Sequence, residues 1–318
     1  MFKKKNLINK LWLKYHNRNR YKQYKWEYQN YTEQEALNFF TGDDRLDTQE
    51  KIIAIAQKDK LLNIVHSGNS GDVIYALPTI KKIAEVTGVA INLYLRLNQP
   101  LIMSGYSSHP MGNVMINQPM AGMLFPLLNA QNYIDKSEVY NNQKIHIDLD
   151  FFRNKTISLH NSNLARWYSY VTGFTPELWK PWIINVTPNN FYADKIILAR
   201  SERYRNSTIN YSFLRNYENT LFIGVKSEYE DMKKTIPNLQ SVQVKNFLEL
   251  AQIIAGCKVF IGNQSFPYSV AEGLKVPRIL EAYYHLAHVI PEGENAHDFY
   301  YQNHFESLVM QLNQRKTS

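Results

Sequence analysis

The sequence predicts an α/β protein built from two Rossmann-like domains facing across a cleft, with a basic helical extension ahead of them. Three observations carry this expectation. From residue 61 onward, short apolar strand-like runs alternate with segments of helical period, the pattern of parallel sheets covered on both faces. Two such series are separated by a stretch punctuated by Pro176, Pro181 and Pro188, as in an interdomain link. Each series contains a glycine-bearing turn that leads directly from a strand into a helix. A chain of 318 residues is long enough for two domains. We place them at 61–185 and 186–318, with 1–60 as the extension.

The extension stands apart by its charge. Residues 1–30 carry nine Lys and Arg against the single Glu27, a net charge of 9 − 1 = +8. The whole chain also carries +8, so the other 288 residues are neutral in balance. Leu7, Ile8, Leu11, Trp12, Leu13, Tyr15, Tyr21, Tyr24, Trp26 and Tyr28 are interleaved with these charges. Three readings fit: a segment lying on an anionic membrane surface, a nucleic-acid-binding segment, or a solvated helix whose aromatics pack on the protein body. Its apolar stretches are too short for a signal peptide, and no window approaches the ~20 apolar residues of a membrane span. The lone Cys257 excludes a disulfide framework within the chain and suits a reducing compartment. The expectation is a cytoplasmic protein, with contact between residues 1–30 and the inner membrane face as one of these three readings.

The elements follow in order. Residues 31–60 read as helix, polar turn (Thr41-Gly42-Asp43-Asp44) and helix. In the first domain the strands are 62–66, 90–95 and 144–150. The helices are 71–86, 121–132 and 162–172, and a loop rich in Asn, Gly, Pro and Met fills 97–120. In the second, strands at 194–199, 220–225, 240–244, 258–262 and 277–281 alternate with helices at 227–234, 246–256, 267–274 and 297–313.

The first turn is His66-Ser67-Gly68-Asn69-Ser70-Gly71-Asp72. Glycine serves where φ must be positive or a ligand must approach the backbone. The following helix N-terminus offers unpaired N–H groups and a positive dipole, and so attracts anions. Asp72 either points a carboxylate into the cleft or merely caps the helix. The glycine spacing is not the dinucleotide fingerprint, and no Gly-Lys-Ser/Thr follows, which disfavours a nicotinamide enzyme or a P-loop ATPase.

The second turn, Gly262-Asn263-Gln264-Ser265-Phe266-Pro267, repeats this logic. Pro267 suits a first helical turn, and Ser265 or Asn263 can cap it. Arg200, Arg203 and Arg205 follow the first strand of this domain, and arginine grips phosphate bidentately. Lys226 and Glu228 follow the next strand end, and Glu281 ends the 277–281 strand, where a carboxylate can accept from ribose hydroxyls.

On these residues the chain resembles the GT-B glycosyltransferases, and within them the heptosyltransferase-like glycosyltransferase family nine. The carrying segments are Gly71-Asp72-Val73-Ile74-Tyr75-Ala76-Leu77-Pro78, Phe260-Ile261-Gly262-Asn263-Gln264-Ser265 and Ala271-Glu272-Gly273-Leu274-Lys275-Val276-Pro277. The resemblance spans about 61–315. It implies transfer of a sugar from a nucleotide-diphosphate sugar to a hydroxyl acceptor, with inversion, no metal and no cofactor beyond that co-substrate. The 61–185 domain would take the acceptor, and 186–318 the donor. Asp72 would be the general base, and Ser70, Gly71 and His66 would meet the acceptor. The turn matching Asn263, Gln264 and Ser265 would hold the diphosphate; the residues themselves add Arg200, Arg203, Arg205 and Lys226 to it and Glu281 to the ribose, although the 200–206 segment differs from the family's lysine-bearing stretch.

The chain departs from the family's second motif. Gln264-Ser265-Phe266-Pro267-Tyr268 lacks its His, so the resemblance does not carry a heptose donor. The acceptor class stays open between a glycan, a lipid-linked glycan and modified nucleic acid. A nucleotide-sugar 2-epimerase and a non-catalytic carbohydrate-binding or scaffold protein share the fold as alternatives. His146, Asp148 and Asp150 alternate as strand neighbours do, and Asp148-Leu149-Asp150 matches a metal-binding signature of the other major glycosyltransferase fold. That fold has one nucleotide domain where this chain has two.

Overall fold

The apolar runs pair as two separate parallel sheets. The computed structural model describes residues 2–40, 48–101, 114–153 and 162–314. The turn expected at Thr41–Asp44 and the middle of the 97–120 loop lie outside the described residues.

The extension begins with two helices, α1 (Leu7–His16) and α2 (Arg18–Phe40), and α3 (Gln49–Asp59) leads into the first sheet. That sheet holds β1 (Leu61–His66), β2 (Ala90–Leu95), β3 (Lys136–Val139) and β4 (Ile147–Asp148) in the order β3-β2-β1-β4. Ile64 lies beside both Leu93 and Ile147, so β1 is flanked on both sides, and Leu62, Ile64 and Val65 are buried. Its helices are α4 (Ser70–Thr87), α5 (Gln118–Asn129) and α6 (Leu164–Thr172).

The second sheet holds β5 (Ile196–Ala199), β6 (Thr220–Ile223), β7 (Gln240–Val242), β8 (Val259–Gly262), β9 (Arg278–Glu281) and β10 (Ala296–Phe299). Its order is β10-β9-β8-β5-β6-β7, with helices α7 (Lys226–Thr235), α8 (Phe247–Gly256), α9 (Phe266–Leu274) and α10 (Gln302–Gln314). The expected α/β architecture of two parallel-sheet halves is therefore present.

Three elements differ from the sequence expectation. The 144–150 strand shortens to Ile147–Asp148, because Asp148 Oδ1 accepts the Asp150 N–H at 2.9 Å and turns the chain into a single 3-10 segment, Leu149–Arg153. The polar edge strands β3 and β10 carry too little apolar alternation to be read as strands. As a result the last helix starts at Gln302 instead of 297.

Helix α4 packs against α9, and one apolar core runs from the first sheet through this contact to the inner side of the second. A second core lies behind the other face of the second sheet. The proline-punctuated link packs down firmly: Trp182 and Ile183 both donate their N–H to Gly273 O at 3.0 Å. A Cβ on Gly273 would lie 2.7–2.8 Å from the Ile183 and Trp182 side chains, so the close approach requires glycine there.

Strand order fixes where a ligand can sit. In the first sheet the order reverses between β1 and β4, and in the second between β5 and β8. Open α/β sheets bind ligands beyond the carboxyl ends of the strands at such reversals. The four segments leaving these strand ends are the 66–72 turn, Leu149–Arg153, the 200–206 loop and the 263–267 turn.

Candidate functional site

A cavity of about 540 Å³ lies between the two halves, within the range of small-molecule sites. Asn69, Ser70, Gly71, Asp72 and Tyr75 line it from the first half. Ser201 to Tyr204, Gly224 to Lys226, Glu228 and Gln264 to Pro267 line it from the second.

Asp72 stands in the first turn of α4 and does two things that the sequence left as alternatives. Its Oδ2 accepts the Asn69 N–H at 3.2 Å, which caps the helix, and it also lines the cavity. Arg153 Nη2 grips the same Oδ2 at 2.6 Å, leaving Oδ1 without a described partner. Arg153 is anchored in turn by Asp150, at 3.4 Å from Nε, and lies over the Phe152 ring. Nothing in the spacing links Arg153 to Asp72, which lies 81 residues earlier.

Gly68 makes this arrangement possible by lacking a side chain. A Cβ there would sit 2.5 Å from Arg153 Nη2, 2.6 Å from His66 Cε1 and 2.7 Å from Asp72 Cβ. Room, and not a positive φ, is the reason for glycine: among the described glycines only Gly88, Gly173 and Gly293 have positive φ.

His66, expected to meet the acceptor, is fully buried and does not line the cavity. Its Nδ1 accepts the Gly68 N–H at 2.9 Å, so its proton resides on Nε2, which reaches Tyr168 Oη at 2.9 Å. Tyr168 Oη then donates to the Asp72 carbonyl at 2.9 Å. Burial lowers the His66 pKa, against the opposing charge of Asp150, and the ring is a neutral strut beneath the turn. Ser70 and Gly71 do line the cavity. Ser70 and Tyr75 border the cavity, while their hydroxyls, Ser70 Oγ and Tyr75 Oη, are buried beneath its surface with no hydrogen-bond partner in the protein.

On the opposite wall the expected diphosphate residues divide into two groups. Arg200 and Glu281 form a buried bidentate pair, Nε to Oε2 at 2.7 Å and Nη2 to Oε1 at 2.8 Å. Glu281 also accepts the Asn206 N–H and the Tyr211 hydroxyl, and Arg200 lies over the Tyr211 ring. Neither lines the cavity; the two expected ligands of diphosphate and ribose are placed against each other. Arg205 is turned away as well. It binds Asp231 at 2.5 Å and the Ser201 carbonyl at 2.8 Å, bracing the loop.

Asn263 is fully buried and acts as a clamp instead of a ligand. Its Oδ1 accepts the Ser201 N–H, and its Nδ2 donates to the carbonyls of Ser201, Arg203 and Tyr204. This holds Tyr204 in the left-handed region, at φ +58°, and sets the shape of the loop that carries Arg203. Gln264 lines the cavity while its amide donates to Leu286 O at 2.7 Å.

Ser265, Arg203 and Lys226 remain at the cavity surface, together with Glu228, whose carboxyl burial pushes above its ordinary range. Helices α7 and α9 both begin here, at Lys226 and Phe266, without a side-chain cap. This corrects the expectation that Ser265 or Asn263 caps α9, for Ser265 Oγ instead donates to Asn263 O. Helices α3, α5, α6 and α8 are each capped by an Asn or Thr side chain. Two uncapped N-termini with Arg203 and Lys226 form an anion-attracting wall. Beyond them Val242, Val244, Phe247 and Leu250 give the cavity an apolar end.

The metal signature around 146–150 resolves into internal pairs. Asp148 meets Arg96 at 3.3 Å, Asp150 meets Arg153, and His146 Nε2 meets Asp59 at 3.0 Å. Among the described residues no group of three or more His, Cys, Asp and Glu side chains is placed to hold a metal ion.

No protein-family model matches this sequence, and no curated relative matches it. The fold is found in solved structures. The Escherichia coli heptosyltransferase WaaC with ADP superposes with a TM-score of 0.54 at 9% identity, covering 79% of this chain and 99% of that one. A glycosyl transferase family 9 protein from Veillonella parvula gives 0.48 at 11% identity, over 81% and 90% of the two chains. The E. coli ADP-heptose heptosyltransferase II gives 0.46 at 11% identity, over 79% and 98%.

Proposed function

We propose that the protein is a glycosyltransferase that moves a sugar from a nucleotide-diphosphate sugar to a hydroxyl acceptor, with inversion and without a metal. The observation that carries this reading is the division of one cavity between two chemistries. The Asp72 carboxylate lies on one wall, and two uncapped helix N-termini with two cations lie on the other. The fold shared with the E. coli heptosyltransferase that was solved with ADP is consistent with a nucleotide on the second wall.

In this reading the donor diphosphate lies against the starts of α7 and α9, near Ser265, Arg203 and Lys226. The base occupies the apolar end at Phe247, and Glu228 takes the ribose hydroxyls in place of the buried Glu281. The acceptor lies by Asn69, Ser70 and Tyr75. Asp72 Oδ1 takes the proton of the acceptor hydroxyl as its oxygen forms the new bond to the anomeric carbon. The bond from that carbon to the diphosphate breaks on the opposite face, and the nucleoside diphosphate leaves with the electron pair. Its developing charge meets N–H dipoles and cations already in place. Arg153 holds Oδ2, so only one carboxylate oxygen faces the acceptor.

The test is nucleoside diphosphate release from a panel of nucleotide-sugars with hydroxylated acceptors. Asp72→Asn is expected to lower transfer by about 10²–10⁴-fold, the usual worth of a general base, while donor binding persists. Full activity in Asp72→Asn overturns the base assignment. Conversion of the nucleotide-sugar without an acceptor would favour the epimerase reading.

A further inference from the structure

We infer that α1 is a docking element for the surface of an anionic lipid bilayer. Helix α1 packs on α2. Phe2 stacks on Tyr24 and Tyr31, the Lys5 N–H donates to Tyr24 Oη, and Leu13 is buried. Successive helix residues lie about 100° apart, which puts Leu7, Leu11, Tyr15, Ile8 and Trp12 within an arc of about 140°, with the buried Leu13 roughly opposite its middle. All five arc residues are exposed, from 45% for Leu11 to 77% for Tyr15. An apolar face therefore points away from the packed side of α1.

The surroundings of this face select its occupant. The same segment carries Lys3, Lys4, Lys5, Lys14, Arg18, Arg20, Lys22 and Lys25, all exposed, against the single carboxylate of Glu27. An exposed apolar helix face on a segment with this excess of Lys and Arg matches the chemistry of an anionic membrane surface. Leu7, Ile8 and Leu11 are aliphatic and offer no ring for a base to stack on, and Trp12 and Tyr15 are the amphipathic aromatics that suit a headgroup boundary. Of the tyrosines behind the face, Tyr24 and Tyr31 stack on Phe2, and Tyr28 lies under Lys4 and Lys10. This favours lipid over nucleic acid. A ten-residue helix is about 15 Å long, so it lies on a bilayer and does not cross it. Among the described residues no helix is long and apolar enough to span.

The test is independent of any sugar transfer. The full chain is floated with vesicles of phosphatidylcholine alone, or with about a third phosphatidylglycerol, at low and high salt. Binding is expected only to the anionic vesicles, weakening as salt rises. The triple substitution Leu7→Gln, Leu11→Gln, Trp12→Gln is expected to reduce binding at least about tenfold. Its circular dichroism and thermal midpoint should match wild type, because these side chains are exposed. Lys3→Gln, Lys4→Gln, Lys5→Gln should remove most of the preference for anionic lipid. The inference is overturned by absence of flotation, by equal binding to neutral vesicles, or by wild-type flotation of the Leu/Trp variant. It is also overturned if the chain binds duplex or single-stranded DNA but not vesicles, or if light scattering shows this face pairing with a second copy.

Discussion

Replacing Arg200 by methionine separates a structural role from a ligand role in the second half of the cavity. The guanidinium meets Glu281 through two bonds of 2.7 and 2.8 Å, and the carboxylate is fully buried. Methionine keeps much of the aliphatic bulk but leaves the Glu281 charge with only the Asn206 N–H and the Tyr211 hydroxyl. Breaking a buried pair by removing one partner typically costs about 3–5 kcal/mol. At about 2–4 °C per kcal/mol for a domain of this size, the thermal midpoint should fall by roughly 10 °C. The double variant Arg200→Met with Glu281→Gln removes the stranded charge and should recover part of the loss. Thermal unfolding by circular dichroism reads both variants, and calorimetry well below the midpoint reads nucleoside diphosphate affinity, which should stay within about threefold of wild type. A small midpoint change joined to a loss of affinity of tenfold or more would refute the argument and return Arg200 to the diphosphate.

Three further outcomes are expected. The folded pKa of His66 lies below its ordinary value through burial, so the unfolded chain takes up a proton below about pH 6.5 that the native ring does not. Stability should therefore fall on acidification by up to about 1.4 kcal/mol per pH unit from this residue. Urea titrations across this range should show a shallower slope in His66→Gln, and equal slopes would contradict it. Gly68→Ala places a methyl against Arg153, His66 and Asp72 and should destabilise by about 1–3 kcal/mol while disturbing the Arg153–Asp72 pair, an effect that denaturation and transfer rate read together. Asn263→Ala removes the clamp on the 201–204 loop. It should weaken nucleotide binding although Asn263 never touches the ligand, and hydrogen exchange of that loop should accelerate.

The two turns at the strand ends were readable because their signals are local. An apolar run, a cluster of small residues and a helical period lie side by side in β1–α4 and again in β8–α9. The direction of a side chain at a strand end is not local. Arg200 directly follows β5 and Glu281 ends β9, the strands that flank β8, and whether they face a ligand or each other depends on a pairing across 81 residues. The same separation hid Arg153 from Asp72. Capping is ambiguous in a different way: Asp72 satisfies its own helix and still presents an oxygen to the cavity, while Ser265 has the composition of a cap and does not act as one. Strands β3 and β10 escaped because Lys-Ser-Glu-Val and Ala-His-Asp-Phe gain their strand character from a neighbour and not from their own alternation.

The central claim is that one cavity holds a nucleoside diphosphate on the wall of α7 and α9, opposite Asp72. Isothermal titration of UDP, GDP, ADP and CMP in the presence of a chelator, against wild type, the Arg203→Ala/Lys226→Ala double variant and Asp72→Asn, tests it directly. The account predicts one-to-one binding of one diphosphate nucleotide, weakened about tenfold or more in the double variant and unchanged in Asp72→Asn. Absence of binding by any of these nucleotides, or binding indifferent to the loss of both cations, would contradict it.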